Sequence, residues 1–306
     1  MTDSLMKLSS GLGEPGIPPA EFGWTGEAGA DLQQIAREVR AKVVRMAHTG
    51  KTPHVGSALS CVDLLVALYF HRMQVDPANP NDANRDRFIL SKGHGCMALY
   101  AVLAQRGFFP ERELSQYALD GGHLPEHPGP GCVPGIELAT GSLGHGLSVG
   151  AGLAMASKMS GMDYRTFVLL SDGECEEGSI WEAALFAPAR DLERLTVIVD
   201  YNKLSAMGPT AQRVGPLAKK WEAFGWRTVE VDGHDMRAIT GALRASTSNG
   251  RPLAVVAHTV KGKGVSFMED NLEWHYRPPT AADLERALTE LEAPVNAGVT
   301  REVTVK

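Results

Sequence analysis

Short apolar runs without polar alternation mark the centre of the chain. Residues 167–170 and 195–199 form two such runs, which suit strands buried on both faces of a parallel sheet. Residues 179–190 lie between them and can form the crossover helix that neighbouring parallel strands require. The pattern therefore predicts an α/β fold, a mostly parallel sheet with helices on both faces.

The same alternation of helix and strand continues on both sides of this unit. Apolar spacing and helix-capping residues predict further helices at 31–46, 59–73, 97–105, 146–159, 212–224 (a loop, then a helix), 235–246 and 281–291. Apolar runs predict further strands at 87–90, 226–231 and 253–258. One domain at 30–293 accounts for these elements, between an extended Gly- and Pro-rich arm at 1–29 and a tail at 294–306.

Composition and charge exclude some classes of protein. The 306 residues are 43% hydrophobic, which is enough for a large core, and the net charge of −6 with no basic run argues against nucleic acid as a partner. No apolar stretch approaches the roughly eighteen residues of a membrane span. The four cysteines are widely spaced without a CxxC pair, and the start of the chain lacks an export signal. We therefore expect a cytoplasmic protein with reduced thiols.

Polar residues follow the two central strands where each of them ends. The first run leads into Ser171-Asp172-Gly173 and the second into Asp200-Tyr201-Asn202. Both ends fall at the carboxyl edge of one sheet, where open α/β folds bind ligands. Carboxylate and amide oxygens converging there suit Mg²⁺ or Ca²⁺, and Gly173 would leave room for a phosphate. A Ser-Asp-Gly turn alone is also typical of a capped turn, but the pairing of Asp172 with Asn202, 30 positions later, is more specific.

Histidines recur in the loops that precede helices. His54 lies at a helix entrance, and His94 follows the strand at 87–90. The long loop at 120–146 carries three histidines, His127 among them, and ends in the Gly-rich segment 141–144. A zinc site is not favoured, because no carboxylate or Cys accompanies these histidines at ligand spacing, and a backbone wrapped around a cofactor fits better. The segment 261–264, Lys-Gly-Lys-Gly, lacks Walker spacing, and the stretch containing Trp274-His275 looks mobile.

The segment from Asp172 to Asn202 resembles the thiamine diphosphate motif, which begins Gly-Asp-Gly and closes with Asn about one βαβ unit later. The resemblance implies thiamine diphosphate and Mg²⁺ as cofactors, with Ca²⁺ or Mn²⁺ as substitutes for the metal. It implies that Asp172 and Asn202 bind the ion through side chains and Leu204 through its carbonyl. Ser171 stands where the family usually has Gly.

With that motif placed, the chain from about Ile35 to Pro278 resembles the amino-terminal half of transketolase, as encoded by split genes. Five motifs occur in the family's order. The resemblance implies catalytic roles for five residues: His54, His94, His127, His275 and Glu177. It implies cofactor contacts from nine: His94, Gly141, Ser142, Leu143, Asp172, Gly173, Glu174, Asn202 and His275.

The implied reaction transfers a two-carbon ketol unit from a ketose or ketose phosphate to an aldose or aldose phosphate. Imidazole groups suit it, because protons move on and off sugar hydroxyls near neutral pH. The family places the glutamate that activates the cofactor on a separate pyrimidine-binding domain, and no further α/β domain follows residue 278. The resemblance therefore implies a partner, the C-terminal transketolase subunit, in a self-associating α₂β₂ assembly.

Three other interpretations remain open from the residues. One is the α subunit of a 2-oxo acid dehydrogenase, whose substrates offer fewer hydroxyls for His54, His94 and His127 to hold. Another is a specialised biosynthetic two-carbon transferase, which the departures at Glu126 (Gly in the family) and His145 (Gln) would fit. The third is a non-catalytic subunit with a relic cofactor site, which retention of both metal-binding side chains argues against.

Overall fold

A computed structural model describes residues 28–129, 131–244 and 250–292 of the chain. Nearly all of the predicted arm at 1–29 and the whole tail at 294–306 lie outside the described residues. Within the described ranges, no helix combines the length and apolar character needed to cross a bilayer. All four cysteines are free thiols, as predicted.

Ten α-helices and seven strands are assigned in the described ranges. The helices are α1 (Ala28–Gly50), α2 (Val55–Ser60), α3 (Val62–Ala67), α4 (Cys96–Arg106), α5 (Gly146–Ser160), α6 (Gly178–Ala189), α7 (Ala211–Val214), α8 (Leu217–Ala223), α9 (Met236–Arg244) and α10 (Ala281–Glu292). The strands are β1 (Arg87–Leu90), β2 (Thr166–Ser171), β3 (Leu195–Tyr201), β4 (Leu204–Ser205), β5 (Gly208–Pro209), β6 (Arg227–Asp232) and β7 (Leu253–His258). Most predicted bounds agree within two residues.

Five strands form one parallel sheet in the order β1-β2-β3-β7-β6. Strands β4 and β5 form a separate antiparallel pair just after Asn202. The predicted fold class is therefore confirmed. Because the strands are parallel, the residues after β1, β2, β3 and β7 all gather at one edge of the sheet.

The core lies on both faces of this sheet, as the uninterrupted apolar runs predict. Successive side chains of a strand point to opposite faces. Phe167 and Leu169 of β2 belong to the apolar cluster that includes α1, α3, α4 and α9. Val168 and Leu170 belong to the opposite cluster with α5, α6 and α8. Neither face of β2 needs a polar side chain, and this explains why its sequence does not alternate.

The prediction of a single helix at 59–73 is wrong. Helix α2 begins earlier, at Val55, and the helix is interrupted at Cys61. Helix α3 then continues into one π-helical turn at Leu68–Arg72. Ser60 Oγ lies 3.0 Å from the Ser57 carbonyl oxygen, and Cys61 Sγ lies 3.4 Å from the Ala58 carbonyl oxygen. Such side-chain bonds compete with the helical ladder and bend helices, a signal that apolar periodicity does not carry.

Two glycines of α5 provide a matched test of packing against the sheet. A Cβ added at Gly150 would lie 2.4 Å from Val168 Cγ2, whereas a Cβ at Gly152 would meet nothing within 4 Å. Gly150→Ala is expected to destabilise the chain by up to about 2 kcal/mol, since overpacking costs roughly 1–3 kcal/mol and helix propensity returns about 1. Gly152→Ala is expected to be neutral or stabilising. Urea unfolding of both variants measures this, and equal midpoints would contradict the packing argument.

Candidate active site

A cavity of about 300 Å³ opens at the carboxyl edge of the sheet. It brings together residues from segments that are far apart in the sequence. Of the predicted site residues, eleven line it: His54, His94, His127, Gly141, Leu143, Asp172, Gly173, Glu177, Asn202, Leu204 and His275. The cavity is therefore where the strand ends and the histidine-bearing loops meet.

Asp172 lies at the floor of this cavity with a buried carboxylate. Its Oδ1 accepts a hydrogen bond from the Gly173 amide (2.9 Å), and its Oδ2 accepts bonds from the Lys203 amide (2.7 Å) and Thr210 Oγ1 (2.6 Å). Burial raises the pKa of Asp172, and nearby Asp200 adds to that effect while Thr210 opposes it. Three donors leave a carboxylate with lone-pair capacity for one more partner.

Asn202 and Leu204 present two further oxygens beside Asp172. Asn202 is buried, and its Oδ1 accepts a hydrogen bond from the Leu204 amide (3.1 Å). The Leu204 carbonyl accepts a bond from Lys261 Nζ (3.0 Å), so a cationic group already lies against it. Carboxylate, amide and carbonyl oxygens form the donor set that hard divalent cations select.

The donor set fits the Mg²⁺ and diphosphate expected from the sequence. The buried Asp172 carboxylate, whose pKa is raised, lacks a strong cationic partner among its hydrogen bonds, and a bound cation would supply that charge. A Cβ at Gly173 would approach Ser205 Cβ to 3.0 Å, so glycine keeps this wall of the cavity open. In addition, His54 Nδ1 is buried and has no hydrogen-bond partner among the described residues, which leaves a polar atom for a bound molecule.

Four histidine rings surround the other side of the cavity. The ring centroid of His54 lies 5.3 Å from that of His94, 6.4 Å from His127 and 5.0 Å from His275. His54 has a left-handed backbone (φ 71°), and its amide donates to the His275 carbonyl (2.8 Å). This bond joins the first and the last of the four segments.

The prediction that the stretch around His275 is mobile is wrong. Leu272–His275 forms a 3₁₀ turn in which Trp274 and His275 are buried. Trp274 Nε1 donates to the Phe267 carbonyl (3.0 Å), and Lys261 Nζ lies 2.8 Å from His275 Nδ1. The polar sequence hid these tertiary contacts, which anchor the segment.

Burial and nearby cations lower the pKa of three of these rings, those of His54, His94 and His275. Burial, together with His127, Lys261 and Lys92, lowers the pKa of His54 to about 4. Burial and Lys92 lower the pKa of His94 well below its ordinary value. Burial and Lys261 lower the pKa of His275 to about 3. A neutral imidazole offers one donor and one acceptor nitrogen, which suits it to binding sugar hydroxyls.

We expect the His54 ring in the folded chain to titrate with a midpoint near pH 4, against about 6.5 in the urea-unfolded chain. Between those values the unfolded chain binds the extra proton, so this group's contribution to stability is present above pH 6.5 and is lost as the pH falls towards 4. NMR titration of the imidazole nitrogens measures the midpoint, with His54→Gln assigning the signal. A folded midpoint above pH 6 would contradict the argument.

A buried ion pair lies next to Asn202. Lys92 Nζ and Asp200 Oδ2 are 2.5 Å apart, both side chains are fully buried, and Nζ also donates to the Ser57 carbonyl (2.8 Å). Asp200 accepts further hydrogen bonds from Ser60 and Thr259. Asn202 Nδ2 lies 3.4 Å from the same Asp200 oxygen, which directs the amide oxygen of Asn202 away from the pair. The ion pair therefore supports Asn202.

Two predicted cofactor contacts do not reach the cavity. Ser142 is exposed to solvent and does not line the cavity. The Glu174 carboxylate is fully buried beneath the strand ends, where it accepts three hydrogen bonds. Sequence analysis also missed lining residues, notably Ser57, Ser205, Met207 and Lys261. Lys261 was detectable, because it follows β7 and therefore lies at the same carboxyl edge as Asp172.

Comparison with known proteins points to one family. The family described as "Transketolase, thiamine diphosphate binding domain" matches residues 32–295. The chain is 43% identical to an apulose-4-phosphate transketolase subunit of Actinobacillus succinogenes, over 86% of this chain and 96% of that protein. It is 41% identical to a 6-deoxy-6-sulfo-D-fructose transketolase subunit of a Clostridium species, over 85% of this chain and 98% of that protein.

Transketolases in a single longer chain are matched only in part. The chain is 35% identical to transketolase of Pongo abelii, over 87% of this chain but 43% of that protein. Among solved structures, transketolase from Leishmania mexicana superposes with a TM-score of 0.81 at 29% identity, over 85% of this chain and 41% of that one. The chain thus spans less than half of these longer relatives.

Proposed function

Because the chain belongs to the transketolase family, as a separate thiamine diphosphate-binding subunit, we propose that it works with a second subunit. The reaction proposed is transfer of a two-carbon ketol unit from a ketose to an aldose, with thiamine diphosphate and Mg²⁺. One observation carries the proposal: four histidine rings face the same cavity as Asp172 and Asn202. A 2-oxo acid has fewer hydroxyl groups than a ketose, so a site for that substrate would not need four histidines.

Each wall of the cavity has its own role in this proposal. Asp172, Asn202 and the Leu204 carbonyl would hold Mg²⁺, and through it the diphosphate. Thiamine diphosphate, when bound, supplies the nucleophilic carbon that attacks the ketose carbonyl. His54 and His94, neutral at pH 7, would orient sugar hydroxyls and exchange protons with them. Lys261, next to His275, would add positive charge beside the diphosphate.

The names of the relatives suggest the substrate class. One acts by name on apulose 4-phosphate and another on 6-deoxy-6-sulfo-D-fructose. Both ketoses carry an anionic group at the end away from the carbonyl. We extend that property to this chain and propose ketoses with a terminal phosphate or sulfonate as its donors.

The second subunit would complete the site, in the α₂β₂ assembly that the family resemblance implies. Helix α6 begins at the cavity, directly after Glu177, and carries the exposed apolar side chains Leu185 and Phe186. Large apolar groups exposed side by side on one helix are typical of an interface. We assign this face to the C-terminal transketolase subunit.

An assay of ketol transfer tests the proposal. The chain alone is expected to give no turnover, and the chain mixed with a C-terminal transketolase subunit is expected to convert a ketose phosphate and an aldose phosphate. Leu185→Glu should prevent co-elution with that subunit, whereas the control Leu119→Glu, also exposed, should not. Robust turnover by the chain alone, or oxidation of pyruvate in place of ketol transfer, would overturn the proposal. Self-association without the partner would reassign the apolar face to a second copy.

A further inference from the structure

Glu174 is a buried acidic side chain that the proposed chemistry does not use. Its carboxyl group accepts three hydrogen bonds. Ser91 Oγ and the Gly144 amide (2.9 Å) donate to Oε1, and the Ser171 amide (3.3 Å) donates to Oε2. Burial raises the pKa of Glu174, and these donors oppose that effect. A buried carboxylate persists in a protein only when such partners satisfy it.

The three donors belong to three separate segments around the cavity. Ser91 follows β1, Ser171 ends β2, and Gly144 closes the loop 141–144, whose Gly141 and Leu143 line the cavity. Since β1 and β2 are neighbouring strands of the sheet, Glu174 fixes the loop to a rigid base.

The loop is held from two further directions. Ser91 Oγ also accepts a hydrogen bond from the Gly146 amide (3.1 Å), at the start of α5. Ser179 Oγ donates to the Gly144 carbonyl (2.9 Å). At Gly144 (φ 88°), an added Cβ would lie 2.4 Å from Ser179 Oγ, so the chain passes there too closely for any side chain. Glu174 therefore bonds a backbone that has little room to shift.

We propose that Glu174 is a positioning residue, which holds the loop 141–144 in the conformation that lines the cofactor cavity. The inference rests on the proposed function for the identity of the cofactor, and on the hydrogen bonds of Glu174 for its hold on the loop. It also accounts for Ser171, where the family usually has Gly. Ser171 Oγ accepts a hydrogen bond from the Glu174 amide (3.2 Å) and thereby closes the turn that presents the carboxylate.

The first test is amide hydrogen exchange in the full chain without cofactor, resolved to single residues by NMR. Glu174→Gln replaces one acceptor oxygen by an NH₂ group, and exchange at Gly144 should rise about ten-fold or more. Glu193→Gln, at an exposed site that precedes β3, is the matched control and should change nothing. Ser91→Ala should raise exchange at Gly146 while Gly144 stays protected by Glu174, and it serves as the second variant if Glu174→Gln does not fold. Unchanged exchange at Gly144, or at Gly146 in that second variant, would overturn the proposal.

The second test is binding of thiamine diphosphate with Mg²⁺, measured by calorimetry at a temperature where circular dichroism shows the native fold. Glu174→Gln should weaken binding about ten-fold, a change that a residue with a purely structural role would not cause. Faster exchange with unchanged affinity would overturn the positioning role. Absence of binding by the native chain at millimolar cofactor would count against the proposed function, while the exchange result would still decide whether Glu174 holds the loop.

Discussion

Replacing Asp172 with asparagine is expected to weaken Mg²⁺-dependent binding of thiamine diphosphate at least 100-fold. Loss of a residue that only hydrogen-bonds to a metal ligand costs about 10–100-fold in metal affinity, and Asp172 is proposed to contact the ion itself. The substitution keeps the shape of the side chain but removes the negative charge that the buried site offers to a cation. Calorimetric titration of the cofactor, with and without Mg²⁺, measures the effect.

The unliganded chain should respond differently to the same substitution. Burial raises the pKa of Asp172, so loss of the charge removes a cost, whereas the NH₂ group of asparagine replaces an oxygen that accepts a hydrogen bond. Because these effects oppose each other, the melting temperature without ligands should change little. The rise in melting temperature on adding Mg²⁺ and cofactor should disappear. Asp163→Asn is the matched control, since its side chain is 91% exposed and precedes β2 at the opposite edge of the sheet. Equal cofactor affinity in Asp172→Asn and Asp163→Asn would refute the metal assignment.

Lys92→Met is expected to cost about 3–5 kcal/mol of unfolding free energy, because it leaves the buried Asp200 carboxylate without its cation. The surface control Lys158→Met removes an ion pair of 3.9 Å whose lysine side chain is half exposed, and such pairs contribute about 0–1 kcal/mol. Urea unfolding at pH 7 measures both. Similar losses in the two variants would show that the buried pair contributes no more than a surface one.

The pH dependence of stability gives an independent check on this pair. Burial alone would raise the pKa of Asp200, but Lys92 outweighs it and leaves the pKa lowered, so the contribution is present at neutral pH and is lost as the pH falls through the folded pKa. Lys92 has a raised pKa, because Asp200 outweighs its burial, and its contribution is lost only as the pH rises through that value. In Lys92→Met the pH dependence that arises from Asp200 should reverse, so that stability improves as the pH falls and Asp200 becomes protonated. Adding Asp200→Asn should recover part of the loss.

The sheet and the position of Asp172 at its carboxyl edge were predictable because they follow from local patterns. Residues 167–170 of strand β2 are all apolar, and this run places the Asp172 turn that follows it at the carboxyl edge of the sheet. The same rule applies to Lys261, which lies three residues after the end of β7, although its Lys-Gly-Lys-Gly segment does not have the spacing of a Walker motif. For Lys261, position at the sheet edge was the useful signal, and motif spacing was not.

What the sequence could not reveal depends on contacts between distant segments. His275 lies in a polar stretch, and its burial comes from packing with Trp274 and Lys261 that no local period encodes. Glu174 looked like a cofactor contact because it stands in the motif, yet its carboxylate turns away from the cavity towards Ser91 and Gly144. In both cases tertiary hydrogen bonds, which link residues 14 or more positions apart, decided the outcome.

The hydrogen bond from the His54 amide to the His275 carbonyl has a consequence for redesign of this protein. A graft that exchanged only the segment after β7 for that of a homologue would have to keep this carbonyl in place, because it holds the backbone at the entrance of α2, 221 positions earlier in the chain. Chimaeras intended to accept new sugars should therefore transplant both segments from one parent.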